Sequence, residues 1–483
     1  MKPILKMNTL KKHLSILNNQ TLRGYKGFDV LIIVCLLLCV DLQSQTNDSA
    51  SRNNSPKHQK PNVILIMADD MGIGELSFLI NGLNNTPSLK NLKDESVFFT
   101  NAYSSSAVCA PARAAMLTGM YPHRTGVVTL SSEKYPKLTR IKKQIPTMAN
   151  AFKQNGYKTA LIGKWHTGVG EDYHPLKRGF DIFEGFSQAK QIPSYFDYSL
   201  DVNGTTIHES NKYLTRDLSE RAINFIRNNK EHPFFLHLAH YAPHRPIGAP
   251  KAYIEKYMNK GFKIKTATVY AMIEIIDKTI GKLLLELKKL NLEENTIVIF
   301  TSDNGPDPMV HKRYNLNLKG SKYTVYEGGI HVPFMMKWKN HLEPRETDKI
   351  ITFIDVLPTL VKICDLKFNT PFSIDGHSFL NSKKEINTSK KHDAFFWQWN
   401  RYLPNYNFNA AVQLNEWKLV RPFTTKEIPK PNTALPAVLY HLKTDPNEQH
   451  DVANKHPKKV KKLTKLLDSW TLKIENDRIH LND

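Results

Sequence analysis

Apolar runs without polar alternation recur along the chain and predict strands that are buried on both faces. These runs occupy residues 62–68, 159–162, 234–238 and 296–300. Segments with apolar residues at helical spacing lie between them, at residues 145–155, 218–227 and 269–290. Buried strands that alternate with helices favour parallel pairing, with helices covering both faces of the sheet. The sequence therefore predicts an α/β fold.

The pattern of predicted elements changes after about residue 385. Short strand patterns at residues 417–420 and 438–442 flank turn signals such as residues 445–447. A lysine-rich helix follows, with an apolar stripe formed by Val460, Leu463, Leu467 and Trp470. We expect a small α+β subdomain here, packed on the main domain.

The first residues have the layout of a secretory signal, since a basic segment at 1–29 precedes an unbroken apolar run at 30–40. We expect export to the periplasm or the cell exterior. An uncleaved anchor and a lipid on Cys39 are the alternatives. The predicted organisation is a signal peptide at 1–45, a polar linker at 46–60, a catalytic domain at 61–385 and the C-terminal subdomain at 386–483.

Composition narrows the class of protein. Hydrophobic residues make up 41% and charged residues 23% of the chain, which excludes a mainly disordered protein. The 4 cysteines exclude a disulfide scaffold and a Cys-rich zinc array. Outside the leader only Cys109 and Cys364 remain, and they could pair or one could have a chemical role. No run of apolar residues is long enough for a membrane span in the mature chain.

The net charge is the unusual property. Lys+Arg number 67 against 45 Asp+Glu, a formal charge of +22. A field of this sign favours anionic partners, such as nucleic acid, anionic lipid or an acidic substrate. Because no nucleic-acid-binding module is recognisable, we expect no nucleic-acid partner.

Two of the buried strands run directly into oxygen-bearing side chains. Asp69 and Asp70 follow the strand at 62–68, and Asp303 and Asn304 follow the strand at 296–300. If the strands are neighbours, these side chains can meet around one cation, and hard oxygen ligands favour Ca²⁺ or Mg²⁺ over Zn²⁺. The alternative is structural: an Asp-Asp helix cap and an Asp-Asn-Gly turn.

Other candidate residues also cluster near strand ends or helix starts. Cys109 lies near a predicted helix N-terminus and close to Arg113, a setting that gives a thiol a reason to be reactive, although a small buried core residue is equally plausible. Lys164 and His166 follow one strand and His244 another, which suits charge stabilisation and proton transfer. Lys319 and Lys322 add cations in a glycine-containing loop.

Taken together, these residues resemble the formylglycine-dependent (type I), arylsulfatase-like sulfatases of the alkaline phosphatase superfamily. Cys109 to Arg113 match the C-x-P-x-R signature of that family, in which the cysteine is converted to formylglycine during export. Further similar segments, in family order, are residues 61–72, 120–126, 156–168, 178–185, 301–305, 319–333 and 439–448. The resemblance implies a large, mixed, mostly parallel sheet sandwiched by helices, with a smaller α+β C-terminal subdomain.

The resemblance also implies a role for each candidate residue. The metal ligands would be Asp69, Asp70, Asp303, Asn304 and modified Cys109, with Ca²⁺ as the ion. Formylglycine (3-oxoalanine) at position 109 would be the nucleophile on sulfur, and Arg113 would steady it. Lys164, His244 and Lys322 would grip the sulfate oxygens, and His166 would help to expel sulfate. Conversion would require a formylglycine-generating enzyme or an anaerobic sulfatase-maturating enzyme as a partner.

Some features depart from the family pattern or leave the substrate open. Ala112 replaces the usual serine of the signature, and His331 stands where many members have arginine. The positive charge suits a sulfated polysaccharide or oligosaccharide, and cations between Lys134 and Lys143 could line a subsite for further sulfates. For these cations the alternative is a solvated loop. For the whole protein the alternatives are a phosphonate or phosphate ester hydrolase on the same fold, and a non-catalytic protein that binds acidic glycans and whose Cys109 is never converted.

Overall fold

The structure is a computed structural model that describes residues 60–130, 134–188, 191–310, 313–387, 392–422 and 436–480. The predicted signal peptide and all of the predicted linker except Lys60 lie outside these ranges. The strands are β1 Asn62–Ala68, β2 Val97–Phe99, β3 Ala102–Tyr103, β4 Lys158–Lys164, β5 Ile182–Phe186, β6 Tyr198–Val202, β7 Thr205–Glu209, β8 Phe234–Ala239, β9 Thr296–Ser302, β10 Phe334–Lys337, β11 Arg345–Thr347, β12 Ile351–Thr352, β13 Phe395–Gln398, β14 Ala410–Leu414, β15 Trp417–Arg421 and β16 Val438–His441. The α-helices are Pro87–Asp94, Cys109–Thr118, Pro122–Thr125, Met148–Gln154, Leu214–Asn228, Lys251–Met258, Ile264–Lys289, Glu327–Ile330, Val356–Ile363 and Pro457–His480.

The main sheet has 10 strands, in the order β11-β2-β10-β9-β1-β8-β4-β5-β6-β7. Its centre is parallel, because β9, β1, β8, β4 and β5 all run in one direction. Antiparallel strands extend it on both sides, with β10 beside β9 and β6 beside β5. This mixed, mostly parallel sheet confirms the predicted fold class.

Alternate residues of β1 enter two separate hydrophobic layers. Ile64 and Ile66 face a core that includes residues of the helices Leu214–Asn228 and Ile264–Lys289. Val63 and Leu65 face a second core on the other side, which includes residues of the helix Cys109–Thr118. Burial on both faces is the reason why the strand is apolar without alternation.

The C-terminal sheet has the antiparallel order β13-β14-β15-β16. One face packs on the terminal helix through Leu463, Leu467 and Trp470. The other face packs on the main domain, where Trp397 and Tyr440 contribute to the same buried cluster as Tyr103. The α+β character predicted for this region is confirmed, whereas the domain boundary at residue 385 stays a prediction.

The longest described helix packs in the hydrophobic core. Ile264–Lys289 has 26 residues, and its apolar stripe packs against the main sheet. None of the described helices has the length and apolarity that a bilayer crossing requires.

Candidate active site

The metal ligands predicted from the sequence lie side by side, because β1 and β9 end at the same level. The two strands pair in parallel from Asn62 opposite Thr296 to Ala68 opposite Ser302. The backbone N–H of Asp303 donates to the Ala68 carbonyl at 3.1 Å, and that of Asp70 donates to Asp303 Oδ1 at 3.2 Å. Both strand ends therefore deliver carboxylates to one rim of the sheet.

Two lysines from distant segments face these carboxylates. Lys164 Nζ lies 2.5 Å from Asp69 Oδ2, and Lys322 Nζ lies 2.6 Å from Asp70 Oδ1. The lysine side chains are 1–2% exposed and the aspartates are fully buried. Burial alone would raise the pKa of Asp70. The positive charge of Lys322, with smaller contributions from His244 and Lys164, instead holds that pKa below its usual range.

Arg113 holds the third carboxylate. Its Nε and Nη2 donate to Asp303 Oδ2 at 2.9 and 2.7 Å, and its Nη1 donates to the Lys164 carbonyl at 3.2 Å. Burial, together with the negative charge of Asp69, raises the pKa of Asp303 to about 6 in spite of Arg113. At the rim, Asp303 is thus held by Arg113 but lies close enough to Asp69 for the two carboxylates to repel each other.

Cys109 is the first residue of the helix Cys109–Thr118 and is 1% exposed. Ligand atoms of Asp69, Asp70, Cys109 and His244 all lie within 4.8 Å of one another. Burial raises the pKa of the Cys109 thiol to about 12, although Lys164 and Lys322 act in the opposite direction. Burial therefore outweighs the nearby cations for the unmodified thiol, and the chemical role of Cys109 stays a prediction.

The two cysteines among the described residues do not pair. Cys109 and Cys364 are both free and buried, and Cys364 belongs to the hydrophobic core beside the sheet. The possible disulfide between them is therefore wrong, and Cys109 alone lies at the rim.

Gly163 allows β4 to deliver Lys164 and His166 to the site. It pairs with Ala239 at φ +106°, and an added Cβ would lie 1.9 Å from the Ala239 carbonyl oxygen. His166 itself has φ +60°, and its buried Nδ1 has no hydrogen-bond partner among the described residues. Burial, with the nearby charges of Lys164 and Arg113, lowers the pKa of His166 well below its usual range.

His244 lies next to Asp70. Its Nε2 lies 3.7 Å from Asp70 Oδ2, and its Nδ1 lies 2.5 Å from the Arg245 carbonyl. Since a carbonyl only accepts, Nδ1 carries the proton and donates it. Burial lowers the pKa of His244 to about 3, and Asp70 opposes that shift only partly.

The rim contains oxygen atoms that suit a cation. Asp69 Oδ1 and Asn304 Oδ1 are buried and have no hydrogen-bond partner among the described residues. Asn304 Nδ2 donates to Asp70 Oδ1 at 2.8 Å, which turns its carbonyl oxygen away from that bond. Buried acceptors without partners are rare in proteins, and a hard cation such as Ca²⁺ would satisfy them. The residues present therefore fit the predicted ion.

All of the predicted site residues lie at this rim, and their chemical roles stay predictions. Lys319, the rival of Lys322, instead donates to the Tyr440 hydroxyl at 2.9 Å, away from the carboxylates. His331 packs against Tyr103 at 5.1 Å between ring centroids, which indicates a packing role. Ala112 is fully buried.

Several residues that border the site were not predicted from the sequence. Lys164 Nζ lies 5.5 Å from the centre of the Tyr241 ring, and Arg245 Nε lies 2.6 Å from Asp307 Oδ2. Tyr323 adjoins Lys322 in sequence and in space, at 5.5 Å from Nζ to the ring centre. The only sequence signal for Arg245 and Tyr323 is that they directly follow the predicted residues His244 and Lys322.

Carboxylates, cations and histidines at the carboxyl ends of central parallel strands suit the hydrolysis of anionic esters, and with this sheet they define an alkaline phosphatase-like hydrolase. Residues 61–366 match the family model described as sulfatase, and residues 320–476 match the C-terminal model of N-sulphoglucosamine sulphohydrolase. The chain belongs to the sulfatase family, whose members are sulfuric ester hydrolases.

Relatives and solved structures agree with this assignment. The chain is 28% identical to an N-acetylgalactosamine-6-O-sulfatase of Bacteroides thetaiotaomicron, over 90% of this chain and 98% of that protein. It is 28% identical to human N-acetylgalactosamine-6-sulfatase, over 81% of each chain. The crystal structure of Ps i-CgsB in complex with k-i-k-neocarrahexaose superimposes with a TM-score of 0.74 at 28% identity, covering 85% of this chain and 93% of that one.

Proposed function

We propose that the protein hydrolyses sulfate esters on a sulfated polysaccharide or oligosaccharide, with formylglycine at position 109 and Ca²⁺ at the strand ends. The observation that carries the proposal is the convergence of Cys109 with Asp69, Asp70 and His244 within 4.8 Å. Relatives and neighbours named for sulfated galactosamine and for carrageenan saccharides support the substrate class. The positive net charge of +22 suits such polyanions.

Asp69, Asp70, Asp303 and Asn304 would hold the cation, together with the modified side chain at 109. When bound, Ca²⁺ polarises the oxygens of the ester, and hydrated formylglycine supplies a hydroxyl nucleophile for sulfur. Arg113 keeps Asp303 in place through two hydrogen bonds from one guanidinium. This fixed network stabilises charge without reorganising during the reaction.

Lys164, His244 and Lys322 would bind the sulfate oxygens. The two lysines are buried at the rim, where an ammonium group interacts with an anion far more strongly than it does in water. His244 Nδ1 already donates to a carbonyl, so its Nε2 can donate to sulfate only when the imidazole is protonated. Substrate binding at this residue should therefore take up a proton.

His166 would act on protons rather than as a fixed charge. Burial and the surrounding cations lower its pKa, so its imidazole is neutral near pH 7 and can accept a proton. Its buried Nδ1 has no hydrogen-bond partner among the residues that the structure describes, which supports such a role.

The proposal also covers maturation and location. Conversion of Cys109 needs a formylglycine-generating or anaerobic sulfatase-maturating enzyme, and the basic and apolar leader favours export to the periplasm or the exterior. Fractionation of the producing cell, with mass spectrometry of the mature N-terminus, checks the location.

The direct test combines mass spectrometry with kinetics. Protein made together with a maturation enzyme should show the mass change of formylglycine on the peptide that contains residue 109, and it should hydrolyse a small aryl sulfate. Cys109→Ala should abolish this activity. Cys364→Ala is the matched control, because Cys364 is equally a buried free cysteine but lies in the core.

Two outcomes would contradict the proposal. An unconverted Cys109 combined with tight binding to sulfated glycans would favour the non-catalytic binding protein. A kcat/KM for phosphate or phosphonate esters above that for sulfate esters would favour the other hydrolase class.

A further inference from the structure

A strip of cationic and aromatic side chains leads outward from Lys322. The Tyr323 ring lies 5.5 Å from Lys322 Nζ on one side and 5.4 Å from the Arg401 guanidinium carbon on the other. The Arg245 guanidinium also interacts with the Tyr323 phenol. Tyr323 therefore connects the buried site to two exposed arginines.

The strip continues past Arg401. Tyr402 is 39% exposed, and Lys134 Nζ lies 5.2 Å from its ring centre and 5.4 Å from that of Tyr135. Among the described residues, no carboxylate pairs with the Arg401 guanidinium. We call these residues the outer strip: Arg245, Tyr323, Arg401, Tyr402, Lys134 and Tyr135.

The turn that carries Arg401 and Tyr402 is held in place by buried amides. Gln398 Nε2 donates to the Asn405 carbonyl at 2.8 Å, and the Asn405 N–H donates to Asn400 Oδ1 at 3.0 Å. Gln398 and Asn400 are 3% and 5% exposed. Because the turn is ordered before any ligand arrives, little conformational entropy is lost on binding.

Asn409 holds the segment that contains Tyr323 against the segment that leads from Trp399 to Arg401. Its buried Nδ2 donates to the Tyr323 carbonyl at 2.8 Å and to the Trp399 carbonyl at 2.7 Å. Its Oδ1 accepts from the Val325 N–H at 3.1 Å. The C-terminal sheet thereby positions the outer strip beside the loop that carries Lys322.

The chemistry of the strip matches a sulfated sugar. A guanidinium group binds an oxyanion through two parallel hydrogen bonds, and an exposed tyrosine ring offers an apolar face with a polar edge. We propose that the outer strip is a subsite for a second sulfated sugar unit, next to the unit whose ester is cleaved. The inference rests on the proposed function and narrows the substrate to saccharides with more than one sulfate.

The subsite hypothesised from the sequence, along the cations between Lys134 and Lys143, stays a prediction and shares only Lys134 with the outer strip. Lys142 is 9% exposed and donates to the Arg478 carbonyl at 3.0 Å, whereas Lys143 pairs with Asp172 at 2.5 Å. Both side chains are engaged within the protein. Lys134 is the member of that set that belongs to the outer strip.

Arg401→Gln tests the subsite by kinetics on two substrates. With size-defined carrageenan and chondroitin sulfate oligosaccharides as probes, KM for the accepted oligosaccharide should rise about tenfold, because one charge-assisted contact is lost. The value of kcat, and KM for a small aryl sulfate, should stay within about twofold, since the aryl sulfate does not reach the strip. Lys143→Gln is the matched control, because it removes one exposed positive charge and should leave both KM values unchanged.

The outcomes separate the subsite from the proposed function. Equal changes of KM on both substrates, or none on the oligosaccharide, would overturn the subsite while sulfate ester hydrolysis stands. If the wild type turns over no sulfate ester, the proposed function fails. Calorimetry with the same oligosaccharides then still decides the subsite, since equal affinities of wild type and Arg401→Gln would overturn it.

Discussion

The active-site rim and the interface beneath the C-terminal sheet both bury charged groups, but the two regions satisfy them differently. At the interface, Lys418 Nζ lies 2.7 Å from Glu327 Oε1 and 2.9 Å from Glu448 Oε1. Tyr103 donates to Glu327 Oε2 at 3.0 Å, and the Glu327 N–H donates to Glu448 Oε2 at 2.7 Å. We call these four residues the interface cluster, and its one cation lies between its two carboxylates.

The rim also contains ion pairs, but some of its buried polar atoms have no hydrogen-bond partner among the described residues. Asp69 Oδ1, Asn304 Oδ1 and His166 Nδ1 are buried without partners among the described residues, and Asp70 and His166 have φ of +67° and +60°. Missing partners and strained backbone persist where a fold holds them for function. The difference teaches that buried charge at the interface holds the two sheets together, whereas the rim keeps buried polar atoms open, as the proposed ion and substrate require.

The largest expected effect is on activity at the rim. Asp69→Asn should lower kcat/KM for an aryl sulfate by about 10²–10³-fold, because a preorganised charge at the reacting group is lost. The Tm of the metal-free protein should fall only slightly, because relief of the repulsion that raises the pKa of Asp303 offsets the loss of the Lys164–Asp69 ion pair. Steady-state kinetics and thermal unfolding in a chelator measure the two effects.

Metal analysis sharpens this test. Wild-type protein should bind Ca²⁺ and gain thermal stability as the ion is added, while Asp69→Asn should gain less. An unchanged kcat/KM in the variant, or a fall of Tm in chelator as large as that caused by removing the buried lysine of the interface cluster, would show that Asp69 acts as an ordinary structural carboxylate.

At the interface the expected loss is in stability. Lys418→Met should lower the free energy of unfolding by about 3–5 kcal/mol, because two buried carboxylates lose their shared cation. Denaturation with urea measures this loss, and the aryl sulfatase activity per folded molecule should change much less than in Asp69→Asn.

Lys339→Met is the matched control for the loss of a lysine. Lys339 is 43% exposed and pairs with Glu293 at 3.0 Å, so its removal should leave the midpoint of urea unfolding nearly unchanged. Similar losses in both lysine variants would mean that the interface cluster contributes no more than a surface ion pair.

The rim could be predicted from the sequence because its signals are local. Apolar strands at residues 62–68 and 296–300 end directly in Asp69 and Asp303, and parallel pairing requires such ends to meet at one edge. The choice of Lys322 over Lys319 came from family spacing, and the structure shows only Lys322 beside Asp70.

The interface cluster could not be predicted, because its members are far apart in the chain. Lys418 lies in a short strand pattern, and nothing nearby in sequence indicates that it turns inward to Glu327, 91 positions away. The direction of the Cys109 pKa could not be predicted either, because the helix start and Arg113 are visible in the sequence whereas the degree of burial is not. The interface cluster and the Cys109 thiol both depend on burial in the folded chain, which the sequence does not show.

The smallest expected effect concerns pH at the interface. Burial raises the pKa of Glu448 above its ordinary 4.5, and Glu327 adds to this shift while Lys418 opposes it. The folded protein therefore holds a proton that the unfolded chain releases, so this contribution to stability is complete below pH 4.5 and is lost as the pH rises through the raised pKa. Glu448→Gln should flatten that loss by on the order of 1 kcal/mol, seen as a smaller fall of Tm from pH 4.5 to neutrality. Glu416→Gln, at an exposed carboxylate beside Lys443, should leave the wild-type slope in place, and an equal flattening in both variants would contradict the role of Glu448.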